Sequence, residues 1–269
     1  MERLGNTRPT SGLHAGSLRA WGMLFAIAGI ISRGILQNKM LGVGSLGPEE
    51  LKALMDNSDT AMIIATIALV LQAMETVAVP IFVFLLAEGF RHTSDWKKYF
   101  VRVAGLAVLT EIPFDLAVNG KVLEFTSQNP VIGLVLCMAL LYFFRRFEGK
   151  KLICVVMALA GLVWALMLRV DHGIPMILMI CVIHLFRNKR MFMGFSGMAV
   201  AAICSASSIF YLLAPMGFLA IHFYNGEKGN SSRLVNYLFY LMGGPQVHYR
   251  NMTVYSQKYF SESPIHKTS

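Results

Sequence analysis

The chain has 269 residues, of which 55% are hydrophobic and 14% are charged, with a formal net charge of +9. Soluble domains carry about 25% charged residues, so this composition excludes an ordinary soluble protein and predicts a polytopic membrane protein. Lys and Arg lie in short clusters between apolar runs, which excludes a nucleic-acid-binding face and is typical of topology signals. No polar block is large enough to fold alone, so we expect residues 1–269 to form a single all-α membrane domain.

A helix that crosses a bilayer needs about 17–25 mostly apolar residues. In chain order, the candidate spans are Ala20–Leu36, Ala61–Leu86, Tyr99–Val118, Val131–Phe144, Leu152–Val170 and Gly173–Phe186. The next run, Met191–Tyr224, is too long for one span, and Ser205–Ser208 offers a turn within it. A weaker run over Leu234–Met242 leaves a ninth span open. The sequence therefore predicts a helix bundle with about eight transmembrane helices.

The connections between these runs alternate in charge, which predicts their orientation. Lys and Arg concentrate at the N-terminus and in four connections, Arg91–Lys98, Arg145–Lys151, Arg187–Arg190 and Lys228–Arg233. The connection Gln37–Thr60 is acidic instead, and Pro48 followed by two glutamates predicts a short surface helix within it. Because basic loops face the cytoplasm, we expect a multi-pass inner-membrane protein with a cytoplasmic N-terminus.

Glu88 and His92 are the first candidates for chemistry. They are four residues apart, so on a helix they share a face and can form a hydrogen bond near the cytoplasmic membrane edge. The carboxylate would orient the imidazole ring, which could then act as a general base. The alternative is a helix-end cluster in the headgroup region that has no catalytic role.

Glu111 and Asp115 are a second pair at the same spacing, on either side of Pro113 in the third span. Two carboxylates on one face repel each other unless one is protonated or a cation intervenes. We expect both to face the bundle interior and to contact Arg102 or another cationic or hydrogen-bonding group. They are candidates for proton handling or for pairing with Arg102 or Arg33. The alternative is a buried ion pair that fixes helix register. Together the polar residues are expected to gather on the cytoplasmic half of the bundle.

Other polar residues receive a structural interpretation. Arg33 is expected to extend to the outer headgroups or to pair with Gln72 or Glu75 of the second span. Asp171 and His172, between two spans, are interpreted as ordinary loop residues. The four cysteines lie inside apolar runs without the spacing of a metal site, so no metal is predicted.

Several segments contain uncommon residues in a distinctive order: Phe82–Thr93, Lys98–Tyr99, Arg102, Glu111–Leu116, Gln128–Asn129, Tyr224–Gly229 and Tyr237–Tyr240. In this order they resemble the TraX family of bacterial membrane proteins, from Val79 to about Tyr240. The resemblance implies an inner-membrane protein similar to membrane acyltransferases that use cytosolic acyl-CoA. The named member of the family acetylates the N-terminal amine of a conjugative pilin.

The resemblance makes an acyltransferase the first functional hypothesis. Acetyl-CoA or another acyl-CoA would be the donor, without a metal, and the acceptor would be a membrane-inserted peptide or a small amine or hydroxyl compound. The other expected partners are membrane lipids, and no nucleic acid is expected. In this hypothesis Arg91, Lys97 and Lys98 contact the CoA phosphates. His92 with Glu88 supplies the base, and Glu111 and Asp115 complete the catalytic set.

The chain departs from the family pattern in two places. Family members usually carry an Asp-His pair in the first span, where this sequence has Gly29 and Ile30, and neither can transfer a proton. The expected final Tyr-Pro-x-His is replaced by Leu241–His248, so only His248 matches loosely. The alternative function is therefore a non-catalytic scaffold or partner-binding membrane protein. A transporter is a third alternative, but no inverted repeat supports it.

Overall fold

The computed structural model describes residues 12–118, 120 and 124–226, and every regular element within these ranges is helical. The elements are α1 (Ala15–Ile30), which continues as a π-helix (Ile31–Met40), α2 (Pro48–Asn57), α3 (Asp59–His92), α4 (Trp96–Val118), α5 (Pro130–Arg146), α6 (Lys151–Met167), α7 (Gly173–Leu185), α8 (Arg190–Cys204), a 3-10 turn (Ile209–Leu213) and α9 (Ala214–His222). The predicted all-helical bundle is confirmed for this part of the chain.

The helices follow the predicted runs closely. The run Met191–Tyr224 divides as expected, because α8 ends at Cys204 and the chain turns before the 3-10 segment. The surface helix begins at Pro48, and the main-chain N–H of Gly47 donates to Glu50 at 2.9 Å. The first helix is longer than predicted at both ends, because it begins at Ala15 and continues to Met40, with its last ten residues in π-helical form. The run Leu234–Met242 lies outside the described residues.

Helix α3 is the centre of the bundle, packed against α1, α5, α7 and α9. From Glu75 to Phe90, all its residues except Phe82 are buried. Two of these buried residues are glutamates, Glu75 and Glu88. At 1.5 Å per residue they lie about 20 Å apart along the helix axis, so the centre of the bundle has a buried carboxylate toward each end.

The outer surface of the bundle is apolar. Val108 and Leu109 on α4 and Leu152 on α6 are each more than 70% exposed. Two helices, Ala15–Met40 and Asp59–His92, are long and apolar enough to cross a membrane, and several shorter helices are also apolar. Such a surface is costly in water and suits contact with lipid, which indicates a membrane protein.

The two ends of the bundle differ in charge. At one end α3, α5 and α7 finish and α8 begins, and the basic connections after Arg91, Arg145 and Arg187 meet there. We call it the basic end. At the other end, called the opposite end, α3, α5 and α7 begin and α6 and α8 finish.

Candidate functional site

The predicted Glu88–His92 pair lies at the basic end, in the last two turns of α3. His92 Nε2 is 3.1 Å from Glu88 Oε1, and Arg91 Nη1 is 3.4 Å from Glu88 Oε2. Glu88 is buried, whereas the His92 side chain is 29% exposed. The geometry expected from the four-residue spacing is therefore present, with a histidine near solvent oriented by a buried carboxylate.

A cavity of about 380 Å³ adjoins Glu88, and we call it the basic cavity; His92 is not among its lining residues. Its polar lining includes Glu88, Arg91, Arg145, Glu148, His184 and Arg187. Within this lining, Arg187 donates to Glu148 at 3.2 Å. The three guanidinium groups outnumber the two carboxylates, so the cavity suits an anionic ligand.

The other two predicted CoA contacts, Lys97 and Lys98, are exposed at the start of α4. Lys98 is paired with Asp95 at 3.3 Å. The main-chain N–H of Lys98 donates to Asp95, and this bond together with the Lys98 ammonium group holds the pKa of Asp95 below its usual value. Of the three predicted cofactor-binding residues, only Arg91 is among the residues that line the basic cavity.

Glu111 and Asp115 lie far along α4, toward the opposite end. Glu111 accepts hydrogen bonds from the side chain and the main-chain N–H of Asn129, and Asp115 is fully buried and accepts from Glu124 N at 2.8 Å. Arg102 is at the other end of α4, about 14 Å from Glu111 along the helix axis. Hydrogen-bonding groups of the next segment, rather than Arg102, are thus the partners that the structure shows.

The four predicted catalytic residues therefore do not form one site. Glu88 and His92 end a helix at the basic end, and α4 then carries Glu111 and Asp115 across the bundle to the opposite end. The expectation that the polar groups gather on one half was wrong, because it ignored the length of helix between the two pairs.

The structure assembles a third polar group at the opposite end, which we call the His172 cluster: Arg33, Glu75, Asp171, His172 and Tyr211. The Arg33 guanidinium donates to both Glu75 and Asp171. His172 Nδ1 is hydrogen-bonded to the Tyr211 hydroxyl. His172 Nε2 faces the two carboxylates, at 3.6 Å from Glu75 Oε1 and 3.7 Å from Asp171 Oδ2.

A missing side chain in α1 makes room for this cluster. Gly29 faces Glu75, and a Cβ atom at position 29 would overlap the Glu75 carboxyl group. One turn later, the π-helical segment carries Arg33. Short π-helical segments often occur at functional sites. The glycine that replaces the expected first-span carboxylate is thus the residue that lets Glu75 approach α1.

The backbone around His172 is also unusual. His172 and Arg169 both have positive φ, at 56° and 50°, where residues other than glycine are uncommon. Gln128 holds this turn, because its N–H donates to Arg169 O at 3.0 Å and its carbonyl accepts from Asp171 N at 2.9 Å. Strained positions of this kind cluster at functional sites.

Two cavities meet at Arg33. The apolar cavity, about 220 Å³, lies between α1, α4 and α5 and is lined almost wholly by apolar groups, including Ile30 and Phe114. The polar cavity, about 290 Å³, is lined by His172 and Tyr211 together with Gln72, Thr76, Ser207 and Ser208. The His172 cluster therefore separates the apolar cavity from the polar cavity, and the polar cavity can hold a polar ligand.

The comparison with protein families supports the sequence resemblance. The model of the TraX protein family matches residues 53–243. This chain belongs to the TraX family. Neither the curated proteins nor the solved structures gave a match.

The TraX match begins after α1, so it includes Glu75, Asp171, His172 and Tyr211 but not Gly29 or Arg33. The predicted Glu88–His92 pair also lies within it. Both candidate sites of this TraX protein are thus built mainly from the matched region.

Glu75, Asp171 and His172 could in principle hold a metal, since one ligand atom from each lies within 4.8 Å of the others. In this arrangement, however, the Arg33 guanidinium already bonds to both carboxylates. Its positive charge is paired with both carboxylates, so the group is organised as an ion-paired network.

Sequence reasoning found part of the cluster. The Arg33–Glu75 pairing was one of the expected alternatives and is confirmed. The interpretation of Asp171 and His172 as ordinary loop residues was wrong, because the turn at Arg169–His172 folds them inward against α3. The available signal was an adjacent acid and histidine between two apolar runs.

Proposed function

We propose that this member of the TraX family is an acyl-CoA-dependent acyltransferase that transfers an acetyl or another acyl group to an amine or a hydroxyl. The observation that carries the proposal is the basic cavity, which is lined by three arginines and by Glu88, the carboxylate that contacts His92. Membership of the TraX family is the second support.

The donor would bind with its nucleotide in the basic cavity. The phosphate groups of CoA are strong acceptors, and arginine binds phosphate through two parallel N–H donors. Arg91, Arg145 and Arg187 line this space with donors of that kind. In this proposal Arg145 and Arg187, instead of Lys97 and Lys98, contact the CoA phosphates together with Arg91.

Acyl transfer needs a base, and the Glu88–His92 pair is the first candidate for it. The acceptor nitrogen or oxygen attacks the thioester carbonyl carbon, the new C–N or C–O bond forms, and the C–S bond breaks. His92 takes the proton from the acceptor and returns it to the departing CoA sulfur, so no further reactant is required. Glu88 orients the ring through its contact with His92 Nε2.

The proposed location is the bacterial inner membrane, with several spans and a cytoplasmic N-terminus. The apolar outer surface supports a lipid environment, and the basic connections support a cytoplasmic basic end. This orientation gives the basic cavity access to cytosolic acyl-CoA.

The test uses the purified protein in detergent with acetyl-CoA and amine acceptors, and it measures release of the CoA thiol. His92→Gln keeps a hydrogen-bonding side chain but removes the base, so turnover should fall by about a hundredfold or more. His222→Gln, at the end of α9, is the matched histidine control and should retain turnover. Wild-type turnover in the His92→Gln variant would remove His92 from the mechanism.

A second candidate function is a non-catalytic scaffold, and the observation that favours it is the loss of the first-span pair at Gly29 and Ile30. A scaffold needs no donor. The scaffold function is therefore supported if millimolar acetyl-CoA does not raise the melting temperature of the protein and does not lose its acyl group in the assay.

A further inference from the structure

We propose that the His172 cluster is a proton relay in which Tyr211 receives the proton of the acyl acceptor and passes its own proton to His172. The proposal rests on the proposed acyltransferase function. It assigns a base to the opposite end of the bundle, in residues that the sequence interpretation left without a role. The relay competes with His92 for the same proton, because Glu75 and Glu88 lie about 20 Å apart along α3. The two assignments therefore exclude each other, and the His92→Gln and Tyr211→Phe variants decide between them.

The first argument is the orientation of the His172 ring. In the neutral ring, the two carboxylates that face Nε2 favour the proton on that nitrogen, which leaves Nδ1 to accept a hydrogen bond from the Tyr211 hydroxyl. The relay therefore acts from the neutral ring. A carboxylate, a histidine and a hydroxyl in this order have the arrangement of a nucleophile or acid activated by an oriented base. The carboxylates also stabilise the imidazolium that forms when Tyr211 gives up its proton.

The second argument is access. Tyr211 and His172 line the polar cavity beside the hydroxyls of Ser207 and Ser208. An acceptor with an amine or hydroxyl group can therefore reach Tyr211 without crossing the apolar packing of the bundle. The thioester must reach the same place, so the proposal includes a CoA arm that extends from the basic cavity along α3 over about 20 Å.

The third argument is cost. Arg33 is 15% exposed, Glu75 8% and His172 14%, in a bundle whose outer surface is apolar. Ionisable groups in such surroundings are expensive and are usually retained for function. The positive φ of His172 and the π-helical segment that carries Arg33 add two further unusual features at the same place.

The transfer step is balanced without another reactant. The acceptor nitrogen attacks the thioester carbon while its proton moves to Tyr211 Oη, and the Tyr211 proton moves to His172 Nδ1. The C–S bond then breaks, and the CoA thiolate recovers the proton by the reverse route. Glu75 and Asp171 act as positioning residues, because they touch His172 and not the acceptor.

The decisive variant is Tyr211→Phe, which removes one hydroxyl and leaves the ring. Transfer from acetyl-CoA to an amine acceptor should fall by about a hundredfold or more, while the affinity for CoA stays unchanged. Tyr142→Phe, in which the altered ring stacks on Trp96 at the basic end, is the matched control. His172→Gln should reduce the transfer rate as much as Tyr211→Phe does. The double variant should reduce it no further than either single variant, because the two groups act as one unit.

The role of Glu75 is tested by moving its carboxylate to α1. Gly29→Asp alone should lose acyl transfer, because the new side chain collides with Glu75. Gly29→Asp combined with Glu75→Gly places a carboxylate in the same space and should recover at least about a tenth of the wild-type transfer rate, whereas Glu75→Gly alone should not. A purely structural role for Glu75 would restore folding in the double variant without restoring transfer.

The outcomes separate the two proposals. Wild-type transfer by Tyr211→Phe, in a protein that binds CoA and is inactivated by His92→Gln, overturns the relay and leaves the acyltransferase intact. A wild-type protein that neither binds CoA nor releases its thiol overturns both.

Discussion

The two ends of the bundle each pair a carboxylate with a histidine, but they assemble the pair differently. At the basic end Glu88 and His92 come from successive turns of one helix, and Glu88 lines the basic cavity. At the opposite end His172 meets Glu75 and Tyr211, which come from separate elements, and Arg33 is 138 residues from Asp171. A local pair tolerates solvent and needs little support, whereas the distant group requires the whole fold to hold it.

The largest expected effect comes from Arg33→Met. It leaves Glu75 and Asp171 without their cation, and breaking a buried ion pair from one side costs about 3–5 kcal/mol. Thermal unfolding in detergent should show a large drop in melting temperature. Arg102→Met, at an exposed position in α4, is the control and should change little. A small drop in melting temperature for Arg33→Met would mean that the stability of the fold does not depend on the polar group at the opposite end more than on the pair at the basic end.

Gly29→Ala should have the next largest effect. The new methyl group overlaps the Glu75 carboxyl group, and overpacking of this kind costs about 1–3 kcal/mol. Gly105→Ala is the matched control, since nothing lies within 4 Å of the added atom. Because alanine is the better helix former, this control should be neutral or slightly stabilising. Equal effects at the two glycines would contradict the close approach of α1 and α3.

The stability contributed by His172 should depend on pH. His172 lies in the connection between α6 and α7. Burial alone would lower its pKa, but Asp171 and Glu75 outweigh burial and the nearby Arg33, so the pKa of His172 is raised above 6.5. The protonated ring therefore stabilises the fold fully below pH 6.5, and this stabilisation is lost as the pH rises through the higher pKa of the folded state.

Unfolding of the wild-type protein and of His172→Gln between pH 5.5 and 9 measures this contribution. The difference in melting temperature should be larger at the acidic end of this pH range. A difference that grows toward alkaline pH would have the wrong sign.

The smallest effect is expected at the basic end. Arg187 and Glu148 form an exposed ion pair, with side chains 43% and 72% accessible, and such pairs contribute about 0–1 kcal/mol. Arg187→Gln should leave the melting temperature almost unchanged while raising the KM for acetyl-CoA. A loss of stability comparable to that of Arg33→Met would erase the contrast between the two ends.

The same contrast explains what could be read from the sequence. Hydropathy located the helices because lipid and core contacts both require long apolar runs, and the spacing of Glu88 and His92 follows directly from helical periodicity. The turn at Ser205–Ser208 and the surface helix at Pro48 also depend on local residues. The His172 cluster does not, because it arises from packing of α1, α3 and the α6–α7 connection. In the sequence, Gly29 indicated only that the expected first-span carboxylate is missing. The fold shows in addition that the Glu75 carboxyl group occupies the space beside Gly29.

Parallel measurement of CoA affinity and acyl transfer in Arg145→Gln and Tyr211→Phe tests most directly whether the two ends have separate tasks. Arg145→Gln should weaken CoA binding by about tenfold, equivalent to one charge-assisted contact of about 1.4 kcal/mol, and should change transfer at saturating donor only slightly. Tyr211→Phe should bind CoA like the wild-type protein and lose transfer. The account is contradicted if both variants change the same quantity, or if the wild-type protein has no affinity for CoA.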